Sequence, residues 1–313
     1  MRAIFKNVSL VAVTAAALAG CNTTTPMGGG NGGGPNPINE PSTVGSFAPT
    51  GKALNYPVRI ATVADTVFVS DALANQVLMY QGGQVVSAIV GLDQPLGLAV
   101  AGDSLYVGNR GRGDVEVYSL GQRKYVRSLG GVGAFLMPTA IAVADDGTVF
   151  VVDAKVNVVK SFAPDGGAGA TIGSAGKGDG QFNFPIGVAV DGKRIVVGDQ
   201  GNNRVVIFDR SGKFVRSFGG EVTGGGSRDD YRGHFTSVAA VALNGNDIYV
   251  LDSAHAYVQV LDELGTSKAF LGTSGDCGSC IKLGLDITID AKGNVLATDP
   301  ESRRFVNLST VVR

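Results

Sequence analysis

From residue 56 onward the chain repeats one unit six times, and this repeat constrains the fold more than any other feature. The clearest copy, residues 180–219, predicts four short strands separated by Asp-Gly, Gln-Gly-Asn-Asn and Ser-Gly turns. A four-stranded unit with two largely apolar faces must be covered on both sides, and radial stacking of such sheets does this. The repeat therefore predicts an all-β fold, a six-bladed β-propeller. The anchor residues, which end the second strand of each copy, are Asp71, Asn109, Asp153, Asp199, Asp252 and Asp299.

The fourth copy resembles an NHL repeat. It contains Pro185-Ile-Gly-Val-Ala-Val, then Val-Gly-Asp199, then Gly-Asn-Asn-Arg204 and a strand that ends Phe208-Asp. Copies one to three match this pattern in part, and the last two match it poorly. The resemblance covers about residues 56–313 and implies an NHL-like propeller. It implies no particular activity, because propellers of this kind host unrelated functions.

The last copy leaves little chain for a fourth strand. Its third strand ends near Leu308, and only residues 309–313 follow. Thr43-Val-Gly-Ser-Phe resembles the outer-strand sequence Phe214-Val-Arg-Ser-Phe of the fourth copy. We therefore predict that residues 43–48 supply the missing strand and close the ring as a clasp.

The first residues have the layout of a secretory signal. Arg2 and Lys6 precede an apolar stretch, residues 8–19, which is too short to span a bilayer. Leu18-Ala-Gly-Cys21 resembles the lipobox of bacterial lipoproteins, in which the signal is cut before the cysteine and that cysteine is lipidated. The alternative is an ordinary secreted protein with a chance cysteine. Acyl chains on Cys21 would hold the protein at a membrane.

The residues after Cys21 are rich in Gly, Pro and Thr without periodicity, which is typical of a disordered, flexible tether. We predict a signal peptide over residues 1–20, a lipidated tether over residues 21–42 and one propeller over residues 43–313.

In lipoproteins of Gram-negative bacteria, Asp after the lipidated cysteine signals retention at the inner membrane. Asn22 in that position favours the outer membrane, with the protein facing the periplasm.

The charge balance excludes one class of partner. The chain has 26 Lys and Arg against 27 Asp and Glu, a net charge of -1. No excess of positive charge is present to drive nucleic-acid binding, so we expect no nucleic-acid partner.

Two residues near the ring seam are candidates for a ligand site. The residues two positions after each first-strand proline, or its equivalent, should line the mouth of the central channel. They are small except for Arg59 and Asp286. Copies one and six become neighbours when the ring closes, so these two side chains are expected to meet. They would form either a structural ion pair or a polar ligand anchor.

The longest spacing between anchor residues, from Asp199 to Asp252, locates an insertion at residues 221–236. It should lie on the same face as the channel mouth, and it is the loop richest in functional groups. It is either a solvated, mobile excursion or a binding loop. Its candidate partner-binding residues are Arg228, Tyr231, Arg232 and His234.

Cys277-Gly-Ser-Cys280 precedes the sixth copy. With Cys21 lipidated, these two cysteines form an even pair in an oxidising compartment, and we predict a structural disulfide between them.

Catalytic patterns are weak. The chain has 2 His, too few for the three-histidine zinc site of peptidylglycine amidating lyase, a six-bladed relative. Gluconolactonase-type propellers hold calcium with a Glu, two Asn and an Asp, and only Asp286 can be placed among these. We therefore predict no catalytic residue, no metal and no cofactor.

The sequence favours a membrane-anchored module that binds a protein, peptide or glycan in the cell envelope. The alternative is a lactonase-like hydrolase or lyase with a metal in the channel.

Overall fold

The computed structural model describes residues 44–220, 227–275, 277 and 280–308. Across this part of the chain the strands form six antiparallel blades, and the first strands of neighbouring blades contact one another in a ring that returns from the sixth blade to the first. The prediction of an all-β, six-bladed propeller is confirmed. The predicted signal peptide, Cys21 and the tether lie outside the described residues.

The strands follow the repeat closely. Before the first blade lies β1 (Ser46–Ala48). Blade one comprises β2 (Pro57–Val63), β3 (Thr66–Asp71), β4 (Gln76–Gln81) and β5 (Gln84–Val90). Blade two comprises β6 (Pro95–Ala101), β7 (Ser104–Asn109), β8 (Asp114–Ser119) and β9 (Lys124–Leu129). Blade three comprises β10 (Pro138–Val143), β11 (Val149–Asp153), β12 (Val158–Phe162) and β13 (Ala168–Ile172).

A short parallel pair, β14 (Ser174–Ala175) and β15 (Gln181–Phe182), precedes blade four. Blade four comprises β16 (Pro185–Val190), β17 (Arg194–Asp199), β18 (Arg204–Asp209) and β19 (Phe214–Gly219). Blade five comprises β20 (Val238–Asn244), β21 (Asp247–Asp252), β22 (Tyr257–Leu261) and β23 (Ser267–Leu271). The described part of blade six comprises β24 (Ile287–Ile289), β25 (Val295–Asp299) and β26 (Arg304–Asn307). Two 3₁₀ helices span Gln200–Asn202 and Arg228–Tyr231.

The anchor residues fix the connections between blades. All six are fully buried. Each accepts hydrogen bonds from backbone N–H groups of the connection that enters its own blade. For example, Asp199 accepts from Asn183 at 2.6 Å, and Asp252 accepts from Thr236 and Ser237 at 2.9 and 3.1 Å. The connections and the turns after the second strands therefore lie on one face of the ring, which we call the connection face.

Apolar side chains of facing sheets form the core between blades. The clusters between successive blades from one to five hold nine to twelve buried side chains each. The cluster between blades six and one holds three, Ile60, Val69 and Leu296. Apolar burial is therefore smaller at the seam where the ring closes than between blades one to five, and polar contacts matter more there.

The predicted clasp is wrong. The strand β1 pairs with β5, the outer strand of blade one, so that Phe47 faces Ile89. Blade six has three strands in the described part of the chain. The ring of Phe47 also packs edge-on against Tyr118 of blade two, with 6.1 Å between the centroids. The sequence of residues 43–47 indicated an outer strand correctly, but an outer strand takes its partner from whichever sheet edge it reaches.

Candidate functional site

The structure brings Arg59 and Asp286 together across the ring seam. Arg59 Nη1 lies 3.0 Å from Asp286 Oδ1, and the other carboxylate oxygen accepts the backbone N–H of Ile60 at 2.9 Å. Only 6% of the Arg59 side chain and 13% of the Asp286 side chain is exposed. Burial raises the pKa of Asp286 above its ordinary value, and the positive charge of Arg59 opposes that rise.

The guanidinium group of Arg59 crosses the channel. Its Nε donates to the Thr139 carbonyl at 2.7 Å, Nη1 donates to the Leu285 carbonyl at 3.3 Å, and Nη2 donates to the Ile186 carbonyl. These acceptors belong to blades three, six and four, and blade four lies opposite blade one in a ring of six. All three nitrogens are thus engaged by protein groups. The geometry favours the structural ion pair over the ligand anchor.

A cavity of about 250 Å³ extends from Arg59 between the six first strands. Arg59 and Asp286 are the only charged side chains among its described lining residues. Most of the others are Ala, Val, Leu and Ile. Throughout the described ranges, no three His, Cys, Asp or Glu side chains lie close enough together to hold a metal ion. The same ranges contain no helix that is long and apolar enough to cross a membrane.

The described part of the insertion begins with a capped turn. Ser227 precedes the 3₁₀ helix Arg228–Tyr231, and the backbone N–H of Ser227 donates to Asp230 Oδ2 at 2.7 Å. The Ser227 side chain in turn accepts the backbone N–H of Asp230, which completes a capping box. Such reciprocal capping satisfies backbone donors that would otherwise have no partner at the start of a helix. The turn is therefore specified by its own sequence.

Gln259 fixes the residues that follow this turn. It is fully buried in β22, and its Nε2 donates to the carbonyls of Tyr231 and His234 at 2.8 and 2.7 Å. Its Oε1 accepts the N–H of Gly233 at 3.0 Å. One side chain thus satisfies three backbone groups. These hydrogen bonds hold residues 231–234 against blade five.

Side chains of the insertion join aromatic rings on blade five. The Tyr231 and His255 centroids are 4.2 Å apart, and His255 stacks on Tyr257 at 5.3 Å with 16° between the planes. Tyr257 meets Phe270 edge-on at 5.0 Å. His255 Nδ1 lies 3.1 Å from a carboxylate oxygen of the anchor residue Asp252. An anchor residue of the repeat therefore helps to position these aromatic rings.

Two arginines cover these rings. The guanidinium of Arg228 lies 5.5 Å from the Tyr257 centroid and 5.7 Å from that of Phe270, and Arg232 lies 5.0 Å from Phe270. Arg232 also pairs with Asp229 at 2.9 Å, whereas Arg228 has no carboxylate partner among the described residues. The blade-five cluster is defined as Arg228, Tyr231, Arg232, His255, Tyr257 and Phe270.

The sequence identified half of this cluster. Arg228, Tyr231 and Arg232 come together as a group, while the exposed His234 contributes only its backbone. His255 and Tyr257 were missed, because they lie three and five positions after an anchor residue, where other copies carry structural side chains. The signal that identifies Tyr257 is the contrast with the polar residues at the same position in four of the other five copies, Gln76, Asp114, Arg204 and Arg304, although the third copy carries Val158 there.

Cys277 and Cys280 form a disulfide in the connection that enters blade six. Arg304 Nη2 donates to both cysteine carbonyls, at 3.0 and 3.1 Å. In blade four, Arg204 donates in the same way to the carbonyls of Gly178 and Gln181, both at 2.9 Å. The disulfide therefore closes a loop that the repeat framework already holds.

Fold and sequence together define the class: a six-bladed β-propeller that carries an NHL repeat. The NHL repeat family matches residues 182–208, within the fourth copy. RING finger protein nhl-1 of Caenorhabditis elegans is 40% identical over 76 residues, which is 24% of this chain and 8% of that protein. Protein brain tumor of Drosophila melanogaster is 29% identical over 136 residues, 43% of this chain and 12% of that protein. This chain thus spans only a small part of either relative.

Two solved lyases share the fold. A streptogramin B lyase structure has a TM-score of 0.57 at 12% identity, covering 82% of this chain and 95% of that one. Virginiamycin B lyase from Staphylococcus aureus has a TM-score of 0.59 at 12% identity, covering 85% of this chain and 86% of that one. At such low identity the likeness concerns the fold alone.

Proposed function

We propose that this chain is a lipid-anchored binding module of a bacterial envelope, and that the blade-five cluster on the connection face binds a partner protein. The single observation that carries the proposal is the way Gln259 fixes the insertion, so that two arginines are held over aromatic rings. Arginine and tyrosine dominate the energetics of protein interfaces, and a pre-ordered loop loses little entropy on binding. The match to the NHL repeat family is compatible with an interaction role.

The channel offers less support for the lactonase-like alternative. Its described lining has one ion pair, and the guanidinium of Arg59 is engaged by protein acceptors. A channel-metal hydrolase needs three or more converging ligands and an open coordination position. Binding at the rim of the connection face needs neither.

Replacing residues 227–234 with an eight-residue Gly/Ser segment tests the partner site. Cells that make the tethered protein are treated with a short crosslinker, and the protein is purified with whatever is attached. We expect a defined adduct that is absent from the loop-replaced variant, while the far-UV circular dichroism spectrum of the propeller is retained. An identical adduct from both proteins, or turnover of a lactone panel with no adduct, would contradict the proposal.

The lipid anchor is tested by the variant Cys21→Ser. Several acyl chains on one residue hold a protein durably at a bilayer, at about 0.8 kcal/mol for each buried CH₂. We therefore expect a shift from the membrane fraction to the soluble fraction, together with loss of labelling by a fatty-acid analogue. In the matched variant Asn22→Asp, labelling should persist and the protein should move from outer to inner membranes. Retention of Cys21→Ser in the membrane fraction would overturn this part of the proposal.

A further inference from the structure

The blade-five cluster contains a buried hydroxyl group without a hydrogen-bond partner. Tyr257 is 3% exposed, and its hydroxyl oxygen is buried and unpaired in the described part of the chain. Burial raises the pKa of Tyr257 well above its ordinary value, so the hydroxyl keeps its proton and remains a donor. Leaving a buried donor unpaired destabilises a fold, so an acceptor that reaches this hydroxyl would bind favourably.

Other blades use the position of Tyr257 to hold a connection. Five residues after the anchor, Gln76, Arg204 and Arg304 each donate to a backbone carbonyl of the connection that enters their blade. In blade five, Gln259, two residues further along β22, donates the equivalent hydrogen bonds to the connection. The hydroxyl of Tyr257 is therefore not needed to hold the insertion.

Arg228 is the second available group of the cluster. It is partly exposed, lies over the buried rings of Tyr257 and Phe270, and has no ion-pair partner among the described residues. Its neighbour Arg232 is engaged by Asp229. The guanidinium is accessible to an approaching anion, whereas the buried hydroxyl becomes accessible only when the side chains that cover it move. The guanidinium only donates, the protonated hydroxyl can donate its hydrogen, and a carboxylate only accepts.

We infer that Arg228 and the hydroxyl of Tyr257 bind a carboxylate group on an acidic peptide segment of the partner protein. This inference deepens the proposed function and rests on it. An acidic glycan fits less well. Sugar rings bind by stacking on exposed aromatic faces, but Tyr257 and Phe270 are only 3% and 4% exposed and lie under Arg228. Asp229 in the same turn is paired with Arg232, whereas the guanidinium of Arg228 has no carboxylate partner among the described residues, and its positive charge suits a flexible acidic peptide.

The test is fluorescence anisotropy of the full-length protein with a fluorescein-labelled hexaglutamate peptide. We expect saturable binding that weakens about tenfold or more in Arg228→Met and about threefold to tenfold in Tyr257→Phe, since charge-assisted bonds are the stronger ones. Hexaglutamine, which lacks the charge, should not bind. The control variant Arg123→Met removes another arginine that lies over a ring, 5.0 Å from the Phe47 centroid, and should bind normally. Arg123 lies in the turn between β8 and β9, on the opposite face of the ring.

Stability separates a ligand-binding hydroxyl from a structural one. Tyr257→Phe should keep or raise the urea midpoint, because it removes an unpaired polar atom. A lowered midpoint with unchanged binding would overturn the inference, as would full hexaglutamate affinity in Arg228→Met or no hexaglutamate binding at millimolar concentration. Preference for an oligogalacturonate would assign the site to a glycan and also overturn it.

The two proposals fail in different ways. If the loop replacement abolishes the adduct in cells but hexaglutamate does not bind, the acidic-peptide inference is wrong and the proposed function stands. If hexaglutamate binds as expected but the adduct survives loop replacement, the cluster recognises carboxylates and the proposed partner site lies elsewhere.

Discussion

Arg59→Met is expected to lower the free energy of unfolding by about 3–5 kcal/mol, the cost of removing one partner of a buried ion pair. The substitution leaves the mostly buried carboxylate of Asp286 without its counter-charge and removes the donor from carbonyls of blades three, four and six. It does so at the seam, where the described apolar cluster is smaller than those between blades one to five. Urea unfolding followed by far-UV circular dichroism measures the change.

The destabilisation by Arg59→Met should depend on pH. Burial already raises the pKa of Asp286, and loss of Arg59 removes the largest opposing influence. A carboxyl group whose folded pKa lies above its unfolded pKa binds more protons in the folded state. Stability then falls as the pH rises from the ordinary carboxyl pKa, about 4, through the raised folded value. We therefore expect a larger defect at pH 8 than at pH 4.5.

The double variant Arg59→Met with Asp286→Asn serves as the control. It removes the uncompensated charge, so at pH 8 it should be more stable than Arg59→Met alone, and its defect should vary less with pH. A cost below about 1 kcal/mol for Arg59→Met, the same at both pH values, would show that the pair does not hold the ring together. The ligand-anchor interpretation would then be favoured.

Asp199→Ala is expected to cost about 2–4 kcal/mol, the range for breaking a buried charged hydrogen-bond network. The carboxylate accepts hydrogen bonds from the backbone of Asn183, from Asn202 Nδ2 and from Arg204 Nε, at 2.6, 2.7 and 2.9 Å. Without it, a buried N–H and part of a guanidinium lose their acceptor, and the connection into blade four loosens. Urea unfolding and amide hydrogen exchange at residues 176–184 measure the two effects.

Asp209→Ala is the matched control. Asp209 also ends a strand of blade four and accepts the N–H groups of Ser211 and Lys213 at 2.9 and 3.0 Å, but in an exposed turn. Water replaces those bonds, so we expect a cost below about 1 kcal/mol. Equal costs for the two variants would mean that the anchor residues do not fix the connections.

The fold could be predicted from the repeat because its pattern involves residues that are close together in the sequence and recurs six times. Each anchor residue ends a strand just before a turn, and six such positions at similar spacing define six blades. The meeting of Arg59 with Asp286 also followed from topology, since ring closure makes blades one and six neighbours whatever their detailed packing. The position of β1 could not be predicted in this way, because the sequence of an outer strand does not show which blade it will pair with.

The blade-five cluster was only partly predictable for a physical reason. The composition of the insertion indicated its arginines and Tyr231. The order of this loop depends on Gln259, a residue in another strand whose side-chain direction no local pattern shows. Tyr257 was not predicted, because a side chain at a position that recurs in every copy is expected to have a structural role. Its unpaired hydroxyl becomes visible only when the hydrogen bonds of each copy are compared.

The central claim, that the connection face at blade five holds the partner, is tested most directly by site-specific photo-crosslinking in cells that make the intact protein. A photoreactive residue replaces Arg232 in the blade-five cluster or, as the control, Lys213 in the turn between β18 and β19 on the opposite face. We predict a discrete adduct from position 232 and none from position 213. Adducts from position 213 alone, or equally from both positions, would contradict the claim.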